Sequence, residues 1–181
     1  MYSEAESSLI ASCLTGDRMA QHKVYKRYCD AMYNLSYRMM GSQADAEDIL
    51  QESFIDVFKN LAAFRGESSL GAWIKRIVIN HCLNHLKRQK IFFEEMKDQY
   101  ADHWYEKEED DSDTEYEVNR VREAIMKLPD GYRQVLTLYL IEGYDHGEIA
   151  TILGIGENGS KSQYSRARVK LRELLNKEVS S

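Results

Sequence analysis

A single proline, Pro129, stands in 181 residues, and this scarcity is the feature that most restricts the folds open to the chain. Strands are usually bounded by turns rich in proline, glycine and asparagine, and the chain has only 10 glycines. Residues that favour helix, such as leucine, methionine, glutamate, lysine and arginine, are frequent. No segment shows a convincing hairpin pattern. The sequence therefore predicts an all-α protein.

Charge is unevenly distributed along the chain. Residues 94–117 contain 12 acidic and 2 basic side chains, a net charge of −10, whereas the whole chain carries −6. A run of like charge repels itself, which is typical of a solvated linker. We therefore expect two small helical domains, residues 1–93 and 118–181, joined by a flexible acidic linker over residues 94–117. The alternative is that the acidic segment imitates a nucleic-acid backbone in a basic channel of a partner.

Several classes of protein are disfavoured. No apolar run approaches the ~20 residues of a membrane-spanning helix, and the first residues do not resemble an export signal. Cys13, Cys29 and Cys82 are odd in number and scattered, which favours a reducing cytoplasm. His81 and His85 could share a metal ion, but Cys82 points about 100° away from His81 on a helix. Nucleophile and phosphate-loop motifs are missing, so we expect no metal, no cofactor and no enzyme.

The first domain contains an amphipathic helix with an acidic face. Two helices are predicted over residues 5–40, and a third begins after Gly41 with Ser42 as its N-cap. Apolar residues recur on one face of this third helix, and an acidic row lines the opposite face: Asp45, Asp48, Glu52 and Asp56. The row is either a solvated surface or a docking face for a basic partner helix.

A basic helix follows a loop over residues 64–73. One of its faces is apolar, and we expect His81 on that face with Trp73 and Ile77. Another side carries a stripe formed by Arg76, Asn80, Leu83 and Lys87. Such a stripe can neutralise phosphates, and an asparagine within it can hydrogen-bond to a base edge. A solvated basic surface is the alternative.

The segment GEIATILGIGENGSKSQYSRARVKL, residues 147–171, predicts a helix-turn-helix with its turn at Gly154-Ile155-Gly156. In the second helix the row from Ser160 to Leu174 faces inward. The opposite row consists of Asn158, Ser162, Ser165 and Arg166, flanked by Lys161, Arg168 and Arg172. Since the second helix of this motif enters the DNA major groove, the outward row indicates DNA binding. An ordinary helical bundle with a solvated surface is the alternative.

Three motifs in this order resemble the extracytoplasmic-function, or group IV, class of the bacterial sigma-70 superfamily over nearly the whole chain. DAEDILQESFIDVFKNL is similar to region 2.2, and FRGESSLGAWIKRIVINHCLNHLKRQ is similar to regions 2.3 and 2.4. LPDGYRQVLTLYLIEGYDHGEIATILGIGENGSKSQYSRARVKLREL is similar to region 4. The resemblance implies a sigma factor, which binds core RNA polymerase and directs it to specific promoters.

The resemblance also implies roles for particular residues. Contacts with the clamp coiled coil of the polymerase would come from Asp48, Gln51, Glu52 and Asp56. Binding of the minus-10 element would involve Arg65, Ser68, Ser69, Leu70, Arg76, Asn80 and Lys87. Binding of the minus-35 element would involve Asn158, Lys161, Ser162, Ser165, Arg166 and Arg168. The polymerase flap and an anti-sigma factor are further implied partners.

The last helix departs from the family pattern. Gly159 lies inside it, where glycine costs ~1 kcal/mol relative to alanine, so we expect the helix to begin late or to become ordered only on DNA. Ser160 in the inward row is expected to weaken the packing. Two other kinds of protein stay open: a stand-alone helix-turn-helix transcriptional regulator and a helical adaptor with no nucleic-acid role.

Overall fold

Two compact helical units make up the protein, Met1–Gln89 and Lys90–Ser181. The computed structural model describes the backbone over residues 4–95 and 113–178, and the side chains over residues 6–88 and 118–176. Every regular element within these ranges is helical. The predictions of an all-α fold and of two domains are confirmed. The central part of the predicted acidic linker, residues 96–112, lies outside the described residues.

The first unit is built from four helices and one short 3-10 turn. They are α1 Glu4–Leu14, α2 Arg18–Met40, α3 Gln43–Asn60, the 3-10 turn Leu61–Ala63 and α4 Leu70–Glu95. The Asp17 carboxylate accepts hydrogen bonds from the amides of Met19 and Ala20 and so begins α2. Gly41 ends this helix with a φ of +76°, and the Ser42 hydroxyl caps α3. The predicted start of the third helix is therefore confirmed.

Side chains from α2, α3 and α4 form the core of the first unit. Its fully buried members include Val24, Leu35, Met39, Ile49, Val57, Leu70, Ile74 and Val78. Cys82 continues the row of Ile74 and Val78 one turn further along α4 and is also fully buried. Burial raises the pKa of the Cys82 thiol to about 12, because the thiolate would be poorly solvated there. Ile74, Val78 and Cys82 therefore form the buried face of α4, and His81 lies at the edge of that face.

Two helices extend into the predicted acidic linker. Helix α4 runs to Glu95, and the first helix of the second unit begins at Asp113. Residues 94–95 and 113–117 are therefore helical, although the charge pattern predicts a break in helical structure. Acidic residues in the first turn of a helix interact favourably with its dipole, which is compatible with a helix start at Asp113.

Four helices and a π-helical turn lie in the described part of the second unit, from residue 113 onward. They are α5 Asp113–Met126, α6 Asp130–Leu136, the π-helical turn Thr137–Ile141, α7 His146–Leu153 and α8 Glu157–Glu178. A capping box between Asp145 and Glu148 begins α7. Gly154 ends it with a φ of +66°, a conformation that favours glycine. The predicted helix-turn-helix is formed by α7, this turn and α8.

The inward row of α8 packs as the sequence predicts. Ala167 is fully buried against Ile125, Leu128 and Leu136, and three partly buried side chains cover this cluster: Tyr132, Leu171 and Leu174. The expectation that α8 begins late is wrong. The helix already begins at Glu157, ahead of Gly159. The buried Ser160 hydroxyl forms a 2.9 Å hydrogen bond with Nδ1 of His146, so its burial leaves no unpaired hydroxyl.

Arg133 is a buried cation that ties α5 to α6. Only 4% of this residue is exposed. Its Nη1 donates to the carbonyl oxygens of Leu128, at 2.9 Å, and Met126, at 3.4 Å, and its Nη2 lies 2.6 Å from the Asp130 carboxylate. The guanidinium therefore satisfies carbonyl groups that the end of α5 leaves without helical partners.

We expect Arg133→Met to lower the free energy of unfolding of the second unit by about 2–3 kcal/mol, because buried carbonyls would lose their donors. Native-state hydrogen exchange at the amides of α6 and α8 would measure the loss. Arg122→Met is the matched control, since Arg122 is exposed and bonds only with Asn119 among the contacts resolved for it. Equal protection in the two variants would contradict the role given to Arg133.

Candidate nucleic-acid interface

The acidic row of α3 lies on the outside of the first unit. Asp48, Gln51 and Glu52 are exposed and Asp56 is partly exposed, because the opposite face of α3 is buried in the core. Ile55 lies on the same outer face and is 53% exposed. Ile55 was not among the site residues predicted from the sequence, although an apolar residue within a polar row can indicate an interface. The outer face of α3 therefore combines acidic side chains with one apolar side chain.

Two histidines of α4 contact this acidic row. Nε2 of His81 lies 2.9 Å from an Asp56 carboxylate oxygen, and Nδ1 of His81 lies 3.6 Å from a Glu52 carboxylate oxygen. His85 lies 3.3 Å from an Asp45 carboxylate oxygen. The expectation that His81 belongs to an apolar face is wrong, because its ring reaches across to the carboxylates of α3. Across the described part of the chain, no cluster of three or more His, Cys, Asp or Glu is arranged to hold a metal ion.

The loop before α4 presents polar side chains to solvent. Arg65, Ser68 and Ser69 are exposed. The Ser69 hydroxyl accepts a hydrogen bond from the Ala72 amide at 3.2 Å, which satisfies a donor in the first turn of α4. The ring of Phe64, at the start of the loop, packs against the ring of Trp73 in the first turns of α4, with their centroids 5.3 Å apart. This contact attaches the start of the loop, next to the exposed Arg65, to α4.

The stripe along α4 is also on the surface. Arg76, Asn80 and Lys87 are exposed, and Leu83 is partly exposed. Leu70 differs from the other predicted minus-10 residues, because it is 1% exposed and packs in the core. Its side chain cannot form part of an exposed surface, so we correct the prediction by removing Leu70 from the candidate site.

The predicted row of α8 lies entirely on the surface of the second unit. Its exposed members are Asn158, Lys161, Ser162, Ser165, Arg166 and Arg168. Lys161 forms an ion pair of 2.7 Å with Glu157, one turn earlier in the helix. The Arg168 guanidinium lies over the Tyr164 ring at 5.7 Å. Cations and short polar side chains therefore project from one side of α8.

Three rings support α8 from behind this row. The Tyr139 ring lies 4.4 Å from His146, in a stacked arrangement, and also 4.4 Å from Tyr164. These contacts join the π-helical turn, α7 and α8, and the hydrogen bond between His146 and Ser160 adds a further contact between α7 and α8. This cluster of Tyr139, His146 and Tyr164 was not predicted from the sequence. The N-terminal half of α8 is thereby held by several independent contacts.

A shallow groove of about 260 Å³ borders the row on α8. It runs between Tyr132 of α6 and the exposed side of α8, where Ser165, Arg166 and Val169 line it. Val169 is 52% exposed. Tyr132 and Val169 were not among the predicted site residues, and they extend the candidate surface toward α6.

The fold and these surfaces define a helix-turn-helix protein, a class that binds DNA, with an exposed acidic face on α3 in its first unit. The chain matches the family models for Sigma-70 region 2 over residues 24–91 and Sigma-70, region 4 over residues 119–171. The protein belongs to the extracytoplasmic-function (ECF) RNA polymerase sigma factors, since relatives of this class align along most of the chain, one of them at 31% identity. As a member of this family it binds core RNA polymerase and directs it to specific promoters. Both surfaces described above are compatible with this activity.

Relatives and solved structures agree with this assignment. The ECF sigma factor SigW of Bacillus subtilis is 31% identical, with 88% of this chain and 91% of SigW aligned. The ECF sigma factor SigM of Mycobacterium tuberculosis is 29% identical, with 96% of this chain and 86% of SigM aligned. The sigma factor RpoE of Bartonella quintana, solved with the anti-sigma factor NepR, has a similar fold, with a TM-score of 0.61 at 20% identity over 86% of this chain and 96% of RpoE.

A further solved structure, CnrH in complex with the cytosolic domain of CnrY, has a TM-score of 0.55 at 24% identity, covering 96% of this chain and 98% of CnrH. The family matches and the relatives SigW and SigM favour a transcription initiation factor over a stand-alone regulator or a helical adaptor. Within the described residues, none of the helices combines the length and apolarity needed to cross a membrane.

Proposed function

We propose that the two units divide promoter recognition, with residues 1–93 binding the polymerase and the minus-10 element and residues 118–181 reading the minus-35 element. Residues 94–117 would join them as an acidic linker. The observation that carries the proposal is the exposure of both polar rows, on α4 and on α8, while the opposite faces of these helices are buried. The match to sigma region 2 includes α4, and the match to sigma region 4 includes most of α8.

The polymerase would dock on the outer face of α3. Asp48, Gln51, Glu52 and Asp56 supply acceptors for basic side chains of the clamp coiled coil. Ile55 would supply an apolar contact between them, since protein interfaces combine an apolar centre with a polar rim. The flap of the polymerase is the second proposed contact on the core enzyme.

The exposed loop and stripe of the first unit would bind the minus-10 element. Its residues are Arg65, Ser68, Ser69, Arg76, Asn80 and Lys87. The cations can neutralise phosphates of the nontemplate strand, and Asn80 with the loop can hold an extruded base. Flipping a base out of the helix costs a few kcal/mol, which these polar contacts would offset.

The outward row of α8 would read the minus-35 element in the major groove. Asn158, Ser162 and Ser165 are short enough to approach base edges, and Lys161, Arg166 and Arg168 can contact guanine or phosphates. Tyr132 and Val169, beside the groove on α8, would lie next to the DNA backbone.

We infer further that an anti-sigma factor controls this protein by covering these surfaces. The support is that two proteins of similar fold, RpoE and CnrH, were solved as complexes, the former with an anti-sigma factor and the latter with the cytosolic domain of CnrY. We place the protein in the cytoplasm, where the polymerase and the chromosome are. It would act without catalytic residues or a cofactor of its own.

In vitro transcription from a pool of genomic fragments with purified core polymerase tests the proposal. We expect discrete new start sites, and we expect Asn80→Ala to reduce their yield roughly tenfold, because a base contact contributes about 1–3 kcal/mol. Asn60→Ala is the matched control, since Asn60 is an exposed asparagine of the first unit that lies on α3 and not in the stripe or the loop. An absence of new starts, with a control sigma factor active, would contradict the proposal.

A further inference from the structure

We propose that His81 is a positioning residue that holds the carboxylates of Asp56 and Glu52 in the geometry that binds the polymerase. The inference rests on the proposed function of the outer face of α3 and assigns a supporting side chain to it. His81 itself lies on α4, directly after Asn80 of the minus-10 stripe. One helix would therefore carry a DNA contact and the support for a polymerase contact.

The geometry around His81 is specific to an imidazole. Its Nε2 is 2.9 Å from the Asp56 carboxylate, and since a carboxylate only accepts, this nitrogen must carry the proton of the hydrogen bond. Its Nδ1 is 3.6 Å from the Glu52 carboxylate. Glu52 and Asp56 are four residues apart and so lie one above the other on α3. A single ring with two nitrogens can address both of them at once.

The carboxylates remain accessible while His81 holds them. The side chain of His81 is 21% exposed, whereas that of Asp56 is 42% exposed and that of Glu52 is 65% exposed. The ring thus lies behind the acidic row, between α3 and α4, and the carboxylates face outward. A partner with basic side chains can reach Asp56 and Glu52 without displacing the histidine.

Holding the carboxylates in place increases affinity because less side-chain freedom is lost on binding. Ordering one flexible side chain at an interface weakens binding about two- to tenfold, and a side chain that is already ordered avoids this loss. His81 therefore supports docking by ordering these acceptors before the partner arrives.

The test is the equilibrium affinity of the full-length protein for purified core polymerase. We expect His81→Leu, which keeps the bulk and removes the donor, to bind about three- to tenfold more weakly. His81→Gln should stay within about twofold of the unmodified protein, because the glutamine amide can donate from a position near that of Nε2. His85→Leu is the matched control, since His85 pairs with Asp45, which is not among the proposed polymerase contacts.

A double-mutant cycle distinguishes positioning from a general effect on the fold. If His81 acts through Asp56, the loss caused by His81→Leu should largely vanish in an Asp56→Ala background, which has no acceptor for the ring. Equal or tighter binding by His81→Leu, or an unchanged loss in that background, would overturn the inference. Should circular dichroism show that His81→Leu is misfolded, His81→Asn replaces it, because the shorter amide cannot reach Asp56 from the position of Nε2 and should bind more weakly than His81→Gln.

The same measurements separate the inference from the function on which it rests. Glu52→Gln combined with Asp56→Asn removes the proposed contacts directly. If this variant binds the polymerase normally, the docking face on α3 is wrong and the role of His81 falls with it. If it binds weakly while His81→Leu binds normally, the docking face stands and only the role of His81 is wrong.

Discussion

Reversing two charges on α3, Asp48→Arg with Glu52→Arg, should abolish detectable binding to core RNA polymerase while both units stay folded. Both side chains are exposed, so the substitutions disturb no core packing. Each one replaces an attraction to basic side chains by a repulsion, and like charges facing each other across an interface cost several kcal/mol. We expect the affinity to fall by more than a hundredfold in a pull-down or a fluorescence titration.

A control with the same change in net charge is available in the second unit. Glu123→Arg with Glu173→Arg alters two exposed acids that are far along the chain from α3. This variant should bind the polymerase almost normally, apart from the small general effect of net charge. If both double variants bind equally well, or if both lose affinity to the same degree, the outer face of α3 is not the docking surface.

Reversing two charges on α8, Lys161→Glu with Arg166→Glu, should eliminate transcription that depends on the minus-35 element and leave polymerase binding intact. Both cations are exposed on the outward row. Lys161→Glu also places an acid one turn from Glu157, with which Lys161 now forms an ion pair. Since a good base contact contributes about 1–3 kcal/mol and acids repel phosphates, the yield should fall about a hundredfold or more.

Promoter variants make this second prediction specific. On a promoter with a scrambled minus-35 element, the variant and the unmodified protein should give similar low yields. Arg122→Glu with Lys127→Glu provides the matched control, because both are exposed cations of the second unit outside α8. Transcription that is unaffected by the charge reversals on α8 would instead favour a role in which this row does not contact DNA.

Local sequence signals predicted the helices and their ends well. Ser42 acts as an N-cap, and Gly154 ends the first helix of the helix-turn-helix, as the sequence predicts. The inward row of α8 was predictable from its period, since Ala167 is buried and Leu171 packs against the same cluster. These features depend on residues within a few positions of one another, so a single sequence contains enough information to predict them.

Contacts between distant residues could not be predicted in this way. His81 and Asp56 are 25 residues apart, and a helical period gives the direction of a side chain but not the neighbour that it meets. The predicted late start of α8 was wrong because helix propensity disfavours Gly159 and takes no account of tertiary contacts. The bond between Ser160 and His146 and the rings of the adjacent cluster stabilise the start of α8 despite that glycine.

The contacts on the side of α8 opposite the exposed row have a consequence for how the proposed promoter preference can change. The contacts of Tyr139, His146 and Ser160 all lie on the side away from the exposed row. Exchanging Ser162 or Ser165 for another side chain therefore leaves the anchoring of the helix untouched. Its outward positions can therefore be exchanged one at a time, and selection among such variants would vary the proposed promoter preference on an otherwise unchanged helix.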